Sequence, residues 1–374
     1  MEFSFGIEHE VAFLDHEGRF ADFSRTSYAD FDQIIEQLPL YPGDYDHLRR
    51  GDAGIKKKRW YIECFERFKD DDKVINCHPK GIEIRTTIHP SIRGAIAELS
   101  SSYDLLVETA QQCGYTPVCV AYNPYQTVFE PDPPLNEYEI GVQHQSPEMF
   151  TQGIAMLTYG PDLNLSIKDM TAEQMIDLGQ KLTHYSPYLV PFSFNAPFYG
   201  GQLWEGLSAR TFFRTGARPA ALVFVAEPEQ LIRSKPSLTT LARLPAEVGR
   251  IEFKAFDVCP DFSLYAGLLA LLKGLALDRL LPDRATTPDA ALHQLSARCG
   301  FDSQRLYLMA LAVIEAVDIA LAGDPDHALL EPLTQSMIER KSPAHRLIEK
   351  YQQYGTIEGA LLDRVLATTT PVQS

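Results

Sequence analysis

Carboxylates and basic side chains occupy alternate positions in four short stretches of the sequence. In the first stretch, residues 6–13, apolar residues alternate with Glu8 and Glu10. Successive side chains of a β-strand point to opposite faces, so this alternation predicts a strand with both carboxylates on one face. Residues 81–88, 162–168 and 249–255 repeat the pattern. Their polar positions carry Glu83, Arg85, Asn164, Arg250, Glu252 and Lys254.

Two interpretations of this pattern are open. An antiparallel sheet commonly turns one face to water, and alternate polar residues are then expected on any strand. Glu is a poor strand former, however, and like charges that face one another across strands repel. If the four strands lie in one sheet, a cation between the carboxylates would relieve that repulsion. Carboxylate oxygens suit a hard cation, so the second interpretation is a site for Mg²⁺ rather than Zn²⁺.

The composition is that of a globular protein and excludes some classes of function. With 374 residues, 45% of them hydrophobic, the chain can form one large or two modest domains. A net charge of −16 argues against a nucleic-acid partner, because phosphate binding needs a basic surface. The six cysteines show no CxxC pair, which indicates neither a zinc site nor a disulfide framework and favours a reducing cytoplasm.

Neither a signal peptide nor a membrane helix is expected. The chain enters strand-like sequence directly after Met1, without a basic segment followed by an apolar one. Residues 262–281 are apolar but include Lys273, Asp278 and Arg279, so a buried core helix is predicted there. We therefore expect a cytoplasmic protein without a membrane partner.

Strands and helices alternate in the first part of the sequence, and helices follow from residue 261 onward. Apolar spacing and flanking Pro, Gly and Ser residues predict strands at 59–65 and 116–121 and helices at 28–38, 91–113, 171–185 and after Pro147. Arg210 and Arg214 are four residues apart, as on one helical face, where surface salt bridges and ligand contact are equally expected. Neither GxxxxGK nor GxGxxG occurs, which excludes a P-loop and a dinucleotide fold.

Several of these stretches resemble one family. The strand with Glu8 and Glu10, GIEIRT at 81–86 and RIEFKAFD at 250–257 resemble the glutamate–cysteine ligases of the second type. Residues 158–167 and 193–219 are most similar to the cyanobacterial branch of that family. The similarity runs from residue 1 to about residue 282, with the motifs in the family's order. That order makes it more specific than any single motif.

The resemblance implies an α+β fold like the catalytic domain of glutamine synthetase. A curved antiparallel sheet would carry the active site on its concave face, helices would cover its other face, and the C-terminal region would be helical. This agrees with carboxylates on one face of the strands. We expect residues 1–282 to form the catalytic domain and residues 283–374 to form a helical extension packed on it.

The resemblance also implies a reaction, the first step of glutathione synthesis. ATP would phosphorylate the γ-carboxylate of glutamate, and the amine of cysteine would displace phosphate to give γ-glutamylcysteine. ATP, glutamate and cysteine would be the partners, with Mg²⁺, or Mn²⁺ in its place, as the metal. The oligomeric state is left open.

The family's motifs imply roles for individual residues. The metal-binding positions would be Glu8, Glu10, Glu83 and Glu252. Arg85, Arg250 and Lys254 would act in catalysis by neutralising phosphate charge or binding a carboxylate, which is what phosphoryl transfer needs. The substrate contacts would be Asn164, Arg210 and Arg214.

The sequence departs from the family at two places. Relatives often carry His in the third strand, where this chain has Asn164 and Ser166, so no metal ligand is assigned there. Many relatives have Arg where Lys254 stands. Lysine keeps the charge but loses the paired hydrogen bonds of a guanidinium group.

Three alternatives to this function stay open. The amine pocket has no recognisable motif, so the acceptor could differ from cysteine. A catalytically silent paralogue that binds nucleotide is disfavoured, because the four carboxylates of the motifs are all present. A phosphotransferase similar to the phosphagen kinases would end at a phosphorylated product, and release of phosphate distinguishes a ligase from it.

Overall fold

The computed structural model describes residues 1–42, 57–69, 73–145 and 150–362. The strands are β1 (Phe3–Leu14), β2 (Phe20–Ala21), β3 (Trp60–Phe68), β4 (Val74–Arg85), β5 (Thr116–Val118), β6 (Pro161–Ile167), β7 (Phe198–Tyr199), β8 (Gln202–Leu203), β9 (Ala221–Val225), β10 (Thr239–Leu241) and β11 (Arg250–Phe253). The helices are α1 (Tyr28–Gln37), α2 (Ile92–Gln112), α3 (Glu137–Gln145), α4 (Gln152–Ala155), α5 (Ala172–Leu189), α6 (Ala209–Arg214), α7 (Phe262–Leu277), α8 (Ala290–Cys299), α9 (Gln304–Ala320), α10 (Glu331–Glu339), α11 (Pro343–Tyr354) and α12 (Ile357–Leu362).

One large sheet organises the described part of the chain. Its strand order is β10-β9-β11-β6-β1-β4-β3, and β2 and β5 pair with the end of β1. The pairings are antiparallel except that of β9 with β10. The sheet is open and curled, helices pack on it, and the C-terminal region is helical. The predicted α+β fold is therefore confirmed.

The central strand, β1, has two unlike faces. Phe3, Phe5 and Ile7 are buried on one face, whereas Glu8 and Glu10 are only partly buried on the other. Burial of each large apolar side chain contributes about 1.5–3 kcal/mol. A slip of one residue would turn these side chains to the polar face, so the apolar face fixes the register and with it the side on which the carboxylates lie.

Helices cover the apolar face of the sheet. α2 packs on β1 and β4, α5 packs on β9 and β11, and α7 packs against both helices. The charged residue inside α7, Lys273, is paired with Asp324 at 2.7 Å and with Asp326 at 2.8 Å. The helix predicted at 262–281 is thus a core helix, and it ends at Leu277. Within the described ranges, no helix is long and apolar enough to cross a membrane.

A buried histidine joins the sheet to α7 directly beneath the two carboxylates of β1. His9 points to the apolar face, and its Nδ1 lies 2.9 Å from the hydroxyl of Tyr265 in α7. Burial lowers the pKa of His9 to about 3, so the imidazole is neutral and its contact with Tyr265 is a hydrogen bond rather than an ion pair. The position of α7 thereby helps to hold the strand that carries Glu8 and Glu10.

Some predicted boundaries differ from the structure. β4 ends at Arg85 rather than at residue 88, because His89 pairs instead with the backbone of Phe5 and leaves Ile88 exposed. The helix predicted at 171–185 continues to Leu189 with Pro187 inside it. The helix predicted after Pro147 would begin in residues 146–149, which lie outside the described residues.

One apolar cluster includes residues from the sheet and from the C-terminal helices. It extends from Phe3 in β1 to Ala344 in α11. The C-terminal helices therefore pack on the same core as the strands. The domain boundary at residue 282 stays a prediction.

Gly81 in β4 allows a close approach to β1. A Cβ there would lie 2.2 Å from the carbonyl oxygen of Val11, so an alanine must push the two strands apart. We expect Gly81→Ala to lower the free energy of unfolding by about 2 kcal/mol. Denaturant unfolding measures the loss.

Gly141 in α3 provides a matched control, because nothing lies within 4 Å of a Cβ built there. Gly141→Ala should raise the free energy of unfolding by about 0.5 kcal/mol, since alanine favours the helix. A Gly81→Ala protein as stable as the wild type would contradict the close approach of β1 and β4.

Candidate active site

Strand pairing brings the predicted polar residues onto one face of neighbouring strands. β11, β6, β1 and β4 are adjacent in the sheet. Glu8 lies opposite Arg85 on one side and opposite Asp162 on the other. The remaining facing pairs are Glu10 with Glu83, Glu252 with Asn164, and Arg250 with Ser166.

Six carboxylates on this face form two groups. We call Glu8, Asp162 and Glu252 the Glu252 group, and Glu10, Glu63 and Glu83 the Glu83 group. In each group, three carboxylate oxygens lie within 4.8 Å of one another. Such spacing is unfavourable for bare carboxylates and is typical of ligands that share a cation.

The groups include two residues that the sequence motifs do not assign. Asp162 is two positions before Asn164 on the same face of β6, and extending the alternation to it would have identified it. Glu63 lies in the strand predicted at 59–65, but only the pairing of β3 with β4 brings it to the site. Only the tertiary structure therefore identifies Glu63 as a member of the Glu83 group.

Three basic side chains separate the carboxylates. Arg85 lies between the two groups, with its Nε 2.5 Å from Glu83 and 3.6 Å from Glu8. Lys254 contacts both Asp162 and Glu252. The Nη1 of Arg250 is 3.7 Å from Glu8, and its guanidinium packs 4.0 Å above the ring of Phe224. The three basic residues predicted for catalysis thus all reach the carboxylate face.

A fourth basic residue, Lys80, lies behind the Glu83 group. Its Nζ donates a hydrogen bond to Oε1 of Glu10 at 2.8 Å and lies 3.9 Å from Glu63. The backbone N–H of Gly160 donates to the other oxygen of Glu10 at 2.7 Å. Both oxygens of this carboxylate are therefore held by the protein.

Burial shifts the acidity of several of these carboxyls. It raises the pKa of Glu252 to about 8, an effect that neighbouring carboxylates strengthen and Lys254 opposes. Burial also raises the pKa of Glu63 to about 7 and that of Glu83 well above its ordinary value. It would raise the pKa of Asp162 too, but the ammonium group of Lys254 lowers that pKa to about 2. When all are ionised, the six carboxylates outnumber the four basic side chains of the face.

The donor set fits hard divalent cations. Each group offers only oxygen donors, the ligand type that Mg²⁺ and Mn²⁺ prefer. Among the described residues, Oδ1 of Asn164 and Oε2 of Glu63 are buried without a hydrogen-bond partner. Asn164 adjoins the Glu252 group, with its amide nitrogen 3.4 Å from Glu8. Cations at the two groups would supply the missing positive charge, and the metal-binding role of these residues stays a prediction.

Arg210 and Arg214 are buried, each only 4% exposed, so their interpretation as surface salt bridges is wrong. Arg210 donates to the carbonyl oxygens of Lys254 and Ala255, and Arg214 donates to that of Pro219. A Cβ at Gly160 would lie 2.1 Å from the guanidinium of Arg210. Arg210 therefore supports the backbone at Lys254 and Ala255 and lies close against Gly160, and substrate contact by either arginine stays a prediction.

A cavity of about 400 Å³ lies at the end of the sheet beyond Asn164. Its walls include Ser4, Ser166, Phe224 and Lys168. Ser166 faces Arg250 across the strands, and Phe224 lies under the Arg250 guanidinium, so the cavity lies on the Arg250 side of the face, although none of the six carboxylates lines it.

The family match on this fold defines the class of protein as the carboxylate–amine ligases. The chain belongs to the glutamate–cysteine ligase family 2, whose family model matches residues 4–233. No curated protein sequence matches the chain.

Solved structures with the same fold include three ligases. The glutamate–cysteine ligase of Francisella tularensis in complex with AMP has a TM-score of 0.58 at 11% identity, covering 96% of this chain and 87% of its own. The bifunctional glutathione synthetase of Pasteurella multocida has a TM-score of 0.55 at 12% identity and the same coverage of this chain, which spans about half (51%) of its length. The ligase PafA in complex with the ubiquitin-like protein Pup has a TM-score of 0.52 at 13% identity, covering 96% of this chain and 72% of its own. At these identities the likeness is one of fold.

The raised pKa values predict a pH-dependent effect of Mg²⁺ on stability. In the metal-free folded protein, Glu63 and Glu252 keep their protons up to a pH of about 7 and 8, whereas their ordinary pKa is 4.5. Between pH 4.5 and these raised pKa values, the folded protein binds protons that the unfolded chain has lost. The free energy of unfolding of the metal-free protein should therefore fall as the pH rises through this range. Mg²⁺ binds the ionised carboxylates, and its stabilising effect should grow over the same range.

Thermal unfolding with and without Mg²⁺ at pH 5.5 and pH 8 measures this effect. The rise in melting temperature on adding Mg²⁺ should be larger at pH 8. An equal rise at both values would contradict the assignment of these carboxyls to a cation site.

The two groups predict two separable cation sites. We expect the wild-type protein to bind two Mn²⁺ ions, Glu252→Gln to lose one of them, and Glu83→Gln to lose the other, because each substitution removes one charged ligand. Titration followed by electron paramagnetic resonance counts the bound ions. Glu205→Gln is the control, since its exposed carboxylate pairs only with Arg298 among the described residues. Two ions bound by both site variants would contradict the assignment.

Proposed function

We propose that this protein is an ATP- and Mg²⁺-dependent glutamate–cysteine ligase. It joins the γ-carboxylate of glutamate to the amine of cysteine through a γ-glutamyl phosphate. The observation that carries the proposal is the pair of carboxylate groups on one face, with Arg85 between them. Membership of the family supports the same reaction.

The two groups would hold the metal ions. Glu8, Asp162 and Glu252 would hold one ion, and Glu10, Glu63 and Glu83 the other. Divalent cations supply neutralisation of the phosphate oxygens during phosphoryl transfer. The protein's own contribution is to hold the carboxylates in place on paired strands, where little reorganisation is needed during the reaction.

The basic residues of the face would bind the reacting groups. Arg85 lies between the two groups, so its guanidinium is positioned to bind the phosphoryl group as it moves from ATP to glutamate. Arg250 and Lys254 flank the Glu252 group and would neutralise the phosphates of ATP. Asn164 has a free carbonyl oxygen and would contact a cation or substrate.

We assign the cavity beside Arg250 to the nucleotide. Its volume of about 400 Å³ suits a base and sugar, and Phe224 in its wall packs against the Arg250 guanidinium. The AMP complex of the Francisella tularensis ligase supports a nucleotide site in this fold. Arg210 and Arg214 then serve to support the site, because their guanidinium groups are bound to backbone carbonyl oxygens.

The domain organisation follows from this assignment. We propose residues 1–282 as the catalytic domain, because they supply all six carboxylates and the four basic residues of the face. Residues 283–374 would be an extension whose described helices pack on the core of that domain.

Phosphate release from ATP tests the function. The protein is incubated with Mg²⁺, ATP and glutamate and a panel of amines that includes cysteine, and products are identified by mass. We expect release that depends on cysteine and a product with the mass of γ-glutamylcysteine. Glu10→Gln and Glu252→Gln should lower the rate at least 100-fold, because each removes a charged group from the centre of the site.

The other outcomes separate the alternatives. Release with a different amine would retain the ligase mechanism and replace cysteine as the acceptor. A phosphorylated product without release would indicate a phosphotransferase. No reaction with any amine would contradict the proposal and favour a silent nucleotide-binding protein.

A further inference from the structure

Lys80 is a buried lysine whose hydrogen-bonding capacity is fully used. Its side chain is 1% exposed. The ammonium group donates to Oε1 of Glu10 at 2.8 Å, to the carbonyl oxygen of Ala155 at 2.8 Å and to that of Thr158 at 2.6 Å. An ammonium group has three N–H donors, so each has one acceptor. Lys80 cannot reach a substrate, so its role must act through the carboxylates beside it, Glu10 and Glu63.

The surroundings of Lys80 also fix its position. The hydroxyl of Tyr159 donates to the backbone carbonyl of Lys80 at 2.9 Å, and the Tyr159 ring centre lies 5.3 Å from the ammonium group. The next residue, Gly81, lies against the backbone of Val11. The ammonium group therefore has no space to withdraw from the Glu83 group.

Lys254, the basic residue beside the Glu252 group, is held differently from Lys80. Lys254 contacts the carboxylates of Asp162 and Glu252, and its side chain is 14% exposed. A divalent cation that binds these carboxylates would compete directly with Lys254 for them. Lys80 is instead tied to two backbone carbonyl oxygens that no cation displaces.

We propose that Lys80 is a fixed counter-cation that makes the Glu83 group the weaker of the two divalent-cation sites. Its positive charge lies within 4 Å of two carboxylates of that group, Glu10 and Glu63. At such distances a fixed charge in a partly dry site strongly opposes a second cation. The same charge keeps Glu10 and Glu63 together before the cation arrives. Lys80 is thus a positioning residue that sets cation affinity. The inference rests on the proposed function only in taking the two groups as cation sites.

Mn²⁺ titration followed by electron paramagnetic resonance tests the inference without turnover. We expect the wild-type protein to show a strong and a weak Mn²⁺ site. Lys80→Met and Lys80→Gln remove the charge, and the weak site should tighten at least tenfold while the strong site is unchanged. Lys80→Arg keeps the charge and should stay close to the wild type.

Lys181 provides a control for loss of a buried lysine. It is 2% exposed, and its ammonium group also donates to one carboxylate, that of Asp278, and to two backbone carbonyl oxygens, those of Leu275 and Asp278. Its contacts lie outside both carboxylate groups. Lys181→Met should lower the melting temperature much as Lys80→Met does and leave both Mn²⁺ affinities unchanged.

Two results would overturn the inference. One is a weak Mn²⁺ site that is unchanged or weaker in the neutral Lys80 variants. The other comes from Glu83→Gln, which should abolish the weak Mn²⁺ site. Loss of the strong Mn²⁺ site instead would contradict the proposal, even if the Lys80 variants fail to fold.

The outcomes also separate this inference from the proposed function. A wild-type protein that binds no Mn²⁺ would remove the cation sites and overturn both. Tightened Mn²⁺ binding in Lys80→Met, together with no phosphate release by the wild type with any amine, would support the role of Lys80 and contradict the ligase.

Discussion

Mutual repulsion among six carboxylates on one face of the sheet is the constraint to which the rest of the site responds. β1 pairs with β4 on one side and with β6 on the other, so Glu8 and Glu10 each face another acidic strand. The carboxylates of this face are buried or partly buried, and charges there interact more strongly than in solution. The four basic side chains around the carboxylates offset part of the repulsion. Burial raises the pKa of Glu63 to about 7 and that of Glu252 to about 8, and neighbouring carboxylates add to both shifts.

The apolar face makes such a concentration of charge tolerable. Strands, α2, α5 and α7 share one apolar core, and its burial supplies the favourable free energy against which the polar face is assembled. His9 illustrates the connection, since it leaves β1 on the apolar side between two carboxylates and bonds to Tyr265. The site is therefore held from behind by helices that carry none of its carboxylates.

Two buried basic side chains, Lys80 and Arg210, hold the backbone around the site. Lys80 binds the carbonyl oxygens of Ala155 and Thr158, and Arg210 binds those of Lys254 and Ala255. These bonds hold backbone carbonyls at the end of α4, at Thr158 and directly after β11. Lys80 also brings positive charge to the acidic face, whereas the guanidinium of Arg210 lies 3.7 Å from Asp257, outside the two carboxylate groups. In Lys80, support of the backbone and balance of charge are thus provided by one residue.

The sequence by itself determined the faces of the strands. Alternation is a local property, so Glu8, Glu10, Glu83 and Glu252 could be assigned to one side of their strands, and the family's motifs could be matched, without any tertiary information. The tertiary structure alone decided which strands are neighbours and in what register. Glu63 joins Glu10 because β3 pairs with β4 and β4 pairs with β1. Lys80 and Arg210 are likewise buried by contacts with distant segments. Such pairing depends on the packing of the whole core, which no local pattern encodes.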